Sequence, residues 1–184
     1  MSTLVNNITE SVRETRKEWG WYLALGILLM AVGVFAIYSG YAATRASVIV
    51  LGAVLLAAGV IQLAAMFGAR GAGHVILFLL VGLLDIIVGV MLIEHPDAGA
   101  LLLTLLLAVA FFFGGILRFF IANLLQFPQY GWAAFSGILT SILGLLLWMQ
   151  WPVSAAWFIG FVVGLNFIFA GVAWSAVAFK LKPA

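Results

Sequence analysis

The stretch HVILFLLVGLLDIIVGVMLIEHPD, residues 74–97, decides the fold. Between His74 and Glu94 its one ionisable side chain is Asp85. A helix rises about 1.5 Å per residue, so a run of this length crosses a hydrocarbon core roughly 30 Å thick. Gly82 and Gly89 lie seven residues apart and therefore share a helix face. The run stops at His95 and Pro96. Proline suits the first turn of a following helix, where the missing N–H has no partner to lose. Asp97 then stands beside a helix N-terminus, whose dipole favours a negative charge.

The same reading extends to the whole chain. Of 184 residues, 66% are apolar and 8% charged, and the mean hydropathy is +1.28. Soluble domains hold about 45–50% apolar and about 25% charged residues. Such a composition cannot cover a core with polar surface, which excludes a cytosolic enzyme, a secreted domain and a disordered tail. Eight Lys+Arg against six Asp+Glu make no basic patch, so no nucleic-acid partner is expected. Cysteine is absent, which removes disulfides, thiol nucleophiles and thiolate metal sites. No metal or cofactor is expected.

Six spans are predicted, at about residues 20–40, 46–68, 74–94, 99–122, 132–150 and 153–179. The expected organisation is a cytoplasmic N-terminal segment 1–18, a six-helix domain 19–179 and a short cytoplasmic tail 180–184. The first 18 residues mix Glu10, Glu14 and Glu18 with Arg13, Arg16 and Lys17, unlike a signal peptide. Leu4, Val5, Ile8 and Val12 fall near helical spacing, so the segment reads as an interfacial amphipathic helix or as a frayed tail. If the spans alternate, Arg13, Arg16, Lys17, Arg70, Arg118, Lys180 and Lys182 share one side, and Arg45 alone lies on the other. The positive-inside rule then places both termini in the cytoplasm. Tryptophan and tyrosine gather at both interfacial levels, as anchors do.

A repeat runs through these spans. Gly40, Pro96 and Pro152 follow spans one, three and five at a step of 56. Gly59, Gly115 and Gly171 keep that step, as do Gly52, Ala108 and Gly164. The odd spans carry Gly26/Gly33, Gly82/Gly89 and Gly137/Gly144, the last pair one residue early. Three hairpin units of about 19–73, 74–129 and 130–179 follow. Two spans per unit preserve orientation, so the repeats are parallel and related by an axis along the membrane normal. The expected fold is an all-α membrane protein of three parallel helical hairpins with pseudo-threefold symmetry. The glycines are expected to pack helices, because lipid tails supply little drive between helices and small residues allow close backbone approach.

Hairpins with paired glycines, a proline in the outer turn and an aromatic-rich start resemble the HdeD family of small bacterial inner-membrane proteins. Gly40 stands where the other two turns have proline. The resemblance implies a six-span protein associated with acid resistance and other stress responses. It brings no catalytic residues to this chain. No catalytic constellation stands in the chain, so a non-enzymatic structural or regulatory role is expected, with membrane lipids, a further copy of the chain or other membrane and periplasmic stress proteins as partners.

Ionisable and polar residues inside spans are functional candidates. Asp85 lies between Gly82 and Gly89 and faces a helix contact, with Leu29 and Thr140 as its repeat equivalents. Arg118, equivalent to Gln62 and Trp174, is the candidate partner, and Asn166 sits mid-span six. Together they support the alternative of a channel or secondary transporter for protons or a small solute. Glu94, His95 and Asp97 form a candidate pH-responsive outer turn, since histidine changes charge within about pH 5–8. The plainer readings are a structural pair or snorkelling for Asp85 and Arg118, interhelical hydrogen bonding for Asn166 and solvation for the turn.

Overall fold

The computed structural model describes residues 19–68, 71–125 and 130–181. The N-terminal segment with its possible amphipathic helix, together with Arg70 and Lys182, lies outside the described residues. The helices are α1 (Trp19–Tyr38), α2 (Gly40–Met66), α3 (Ala72–Glu94), α4 (Pro96–Leu125), α5 (Tyr130–Met149) and α6 (Phe158–Leu181). A short 3-10 turn, Val153–Ala156, stands between α5 and α6. All six helices are long and apolar enough to cross a membrane, and no strand occurs among the described residues. The chain is an all-α, multi-pass membrane protein with an internal repeat.

Burial is inverted relative to a soluble core. The largest fully buried side chains are Val48, Thr44, Thr104 and Ser154, while leucines, phenylalanines and tryptophans are widely exposed. Water would penalise that surface, whereas hydrocarbon does not, so large side chains face lipid and small ones face helices.

The chain forms two compact bodies. One joins α1 to α6 from Gly160 onward, and the other comprises Gly40–Ile159. In the first, a Cβ added to Gly26 would stand 2.8 Å from the Gly171 carbonyl oxygen, and one on Gly33 2.6 Å from that of Gly164. Tyr22 stacks on Trp174 with ring centroids 5.6 Å apart. In the second, the same device closes α2 on α3. A Cβ on Gly59 would meet the Gly82 carbonyl oxygen at 2.6 Å, and one on Gly52 that of Gly89 at 2.8 Å. It also closes α4 on α5, where Gly115 meets Gly137 and Gly144 meets Ala108. All eleven glycines singled out by spacing thus lie at close backbone contacts.

These contacts join helices of different sequence units. Gly26–Gly171, Gly59–Gly82 and Gly115–Gly137 are one contact repeated at equivalent positions, and in each the partners come from different hairpins. Within a unit, α3 touches α4 over a smaller area, where Gly99 lies against Leu92. Gly59 faces α3 because α2 and α3 run side by side in opposite directions along their length, so each glycine admits the other's backbone.

Two boundaries differ from expectation. α2 begins at Gly40, six residues before the apolar run expected from 46. Thr44 and Val48 are buried there, so packing carries the helix through a polar sequence. Pro152 does not open α6 but precedes the 3-10 turn, whereas Pro96 does open α4. Ser154 explains the added turn: its hydroxyl donates to the Leu147 carbonyl at 3.0 Å and its N–H to that of Gln150 at 3.1 Å. These bonds fold residues 150–157 back on the end of α5 before α6 starts.

Candidate functional site

Asp85 sits about nine residues, or roughly 14 Å, from the end of α3. It is half-buried, and its Oδ2 accepts a 2.8 Å hydrogen bond from Nε2 of Gln62 on α2. The bond lies beside the Gly59–Gly82 crossing, where close backbones let a glutamine reach across. Interhelical hydrogen bonds in membranes contribute about 0.6 kcal/mol on average and up to about 1.7. This one meets part of the cost of a carboxyl group held in a span.

Arg118 is not the partner of Asp85. It lies exposed on α4, and the sole ion pair among the described residues is elsewhere. Arg118 occupies the repeat position of Gln62, but its helix packs on α5, whose equivalent of Asp85 is Thr140. Thr140 donates to its own helix, at the Ser136 carbonyl. Asn166 is exposed on α6 and makes no hydrogen bond among the described residues. Asp85 and Arg118 are therefore not brought into one polar site.

The second candidate cluster lies where α3 ends and α4 begins. Glu94 and His95 are exposed, and His95 closes α3 with its N–H bonded to the Met91 carbonyl at 2.9 Å. Asp97, in the first turn of α4, turns away from them towards α2. Its Oδ1 accepts the Tyr41 hydroxyl at 3.1 Å and meets Nε of Arg45 at 3.5 Å. The Arg45 guanidinium also stands 5.8 Å from the Tyr41 ring centroid. Both side chains of the ion pair are about half exposed (45% and 58%), so the pair contributes about 0–1 kcal/mol to stability. No group of three side chains that could hold a metal forms among the described residues, and Asp97 stands apart from Glu94 and His95.

Asp97 and its partners rim a pocket of about 240 Å³. Its wall includes Thr44, Ala100 and Ala156, which are successive equivalents under the step of 56. Tyr41 and Asp97 are likewise 56 apart, as are Arg45 and Leu101. Equivalent positions meet only where the repeated segments converge, here at the starts of α2 and α4 and at the 3-10 turn. One turn deeper on α4, Thr104 is fully buried and its hydroxyl has no hydrogen-bond partner among the described residues.

Sequence reasoning passed over Gln62, Tyr41 and Arg45. A signal existed for each. Gln62 is the polar equivalent of Arg118, and Tyr41 and Asp97 share a repeat position. Arg45 is the lone basic residue on its side by the count of spans.

The profile of a family described as a short repeat of unknown function (DUF308) matches the chain twice, over residues 24–94 and 80–149. The matches begin 56 residues apart and end 55 apart, which reproduces both the step and the one-residue slip of the glycine pattern. Together they span residues 24–149, well over half of the chain. No curated protein and no solved structure matches it.

Proposed function

The chain belongs to the DUF308 short-repeat family, and on that premise we propose that it is an HdeD-like protein of the bacterial inner membrane with a non-enzymatic structural or regulatory role in acid and stress tolerance. The observation that carries this reading is how the intramembrane polar groups are used. Asp85 is bound by Gln62 inside one helix pair, and Arg118 stands exposed on α4 without an acidic partner among the described residues. That distribution suits a packed scaffold better than a permeation path. Its termini lie in the cytoplasm, on the side of the basic residues. Lipids, further copies of the chain or other stress proteins of the envelope are its partners, met by the apolar helix faces.

The test is survival of a deletion strain after exposure to acid, with and without the gene restored. Loss of survival that the restored gene repairs supports the role; unchanged survival overturns it. A proton path through Asp85 is the competing reading. Flux through liposomes holding the purified protein, above empty liposomes and reduced by Asp85→Asn, would establish that reading instead.

A further inference from the structure

The pocket at the starts of α2 and α4 has chemistry that the stress role does not use. Arg45 meets Asp97 with Nε 3.5 Å from Oδ1, and its two terminal amino groups make no hydrogen bond among the described residues. Those groups form the part of the guanidinium best suited to a carboxylate or phosphate. The Tyr41 hydroxyl and Arg45 Nε both meet Asp97 at Oδ1, and Oδ2 accepts no hydrogen bond among the described residues. One rim therefore presents unspent donors with positive charge beside an unspent acceptor with negative charge. Tyr41 holds both in place, by its hydroxyl on Asp97 and its ring under Arg45. The walls between them are small and apolar, formed in part by Ala100, Ala155 and Pro152. A volume of about 240 Å³ equals the bulk share of roughly eight waters, enough for a ligand of a few heavy atoms.

We propose that this pocket binds a small zwitterion: an anionic carboxylate or phosphate on Arg45 and an ammonium group, a few bonds away, on Asp97. Two sources share that chemistry, a free amino-acid-like solute and the headgroup of an ethanolamine phospholipid. A simple anion would leave Asp97 facing it with like charge, and a simple cation would do the same to Arg45. The site stands apart from the acid-tolerance reading and does not depend on it.

The experiment has two arms on the purified full-length chain. In detergent, glycine and O-phosphoethanolamine are titrated by calorimetry. In parallel, the chain is reconstituted with phosphatidylethanolamine or phosphatidylglycerol, and retained lipid is read by native mass spectrometry. Saturable binding of a free probe supports the site and assigns it to a solute. Preferential retention of the ethanolamine lipid supports it and assigns it to a headgroup. In whichever arm responds, Arg45→Gln and Asp97→Asn each weaken binding about tenfold or more, because each removes a charge-assisted bond. Both side chains are half exposed, so folding tolerates these changes, and an unaltered helical circular dichroism spectrum verifies it. Ala156→Phe, at an exposed wall position, fills the pocket and abolishes binding. Three outcomes overturn the proposal: no response in either arm, binding that both charge variants leave intact, and phosphate binding as tightly as O-phosphoethanolamine and unaffected by Asp97→Asn.

Discussion

Thr104 carries a hydroxyl in full burial with no partner among the described residues, a state that costs about 1–3 kcal/mol. Replacing it with valine keeps the branched shape and removes the orphan group. Thr104→Val is therefore expected to raise the melting temperature of the purified protein, corresponding to about 1 kcal/mol or more; a lower melting temperature would mean that the hydroxyl is already engaged by water or a ligand. Gln62 and Arg118 provide a second contrast, at equivalent positions with different surroundings. Gln62→Leu strips the donor from Asp85 and is expected to destabilise by about 0.5–2 kcal/mol. Arg118→Ala, at an exposed position with no ion pair among the described residues, should stay within about 0.5 kcal/mol of the parent in the same thermal melt. Equal losses in the two variants would contradict the assignment of Gln62 as the partner.

At the level of helices, neighbouring glycines separate a packing role from mere composition. A Cβ on Gly115 would stand 2.5 Å from the Gly137 carbonyl oxygen and also strike Ser141, whereas one on Gly114 would meet nothing within 4 Å. Gly115→Ala must push α4 and α5 apart and is expected to cost about 1–3 kcal/mol. Gly114→Ala relieves a helix of a flexible residue and is expected to be neutral or to stabilise by up to about 1 kcal/mol. Unfolding in a denaturing detergent compares the two directly, and a reversal of their order would remove glycine contact as the basis of the α4–α5 pairing. The 3-10 turn teaches a related lesson. The span expected from 153 starts only at Phe158, because the Ser154 hydroxyl holds the chain on α5 for another half-dozen residues.

For the molecule as a whole, crossing by all six apolar helices is expected to put the start of α1 and the end of α6 on one side of the membrane. Because the chain lacks cysteine, single cysteines introduced near each end can report that side cleanly. Both are expected to react with an impermeant thiol reagent only after the cytoplasmic face is opened. Labelling of the two ends from opposite sides would require one helix not to cross. The same inverted burial that makes this a membrane protein leaves its large apolar side chains to lipid and its small ones to helix contacts. Stability therefore rests on a limited set of close backbone approaches rather than on a bulky core.

Much of this organisation is legible in the chain itself. Six apolar runs, the step of 56 and the eleven glycines follow from local rules: transfer into hydrocarbon depends on composition along a segment, and close helix approach demands small residues at helical spacing. The start of α2 escaped that reading because Thr44 and Arg45 are polar in isolation and become helical through what they pack on and pair with. Partner choice escaped it as well. Asp85 could face Gln62 or Arg118 with the same periodicity, and Asp97 could join Glu94 and His95 or cross to Tyr41 and Arg45. Only the tertiary structure decided these, because each choice depends on which distant helices lie side by side and at what register. Spacing within one helix does not contain that steric information; the meeting of Gly59 with Gly82 does.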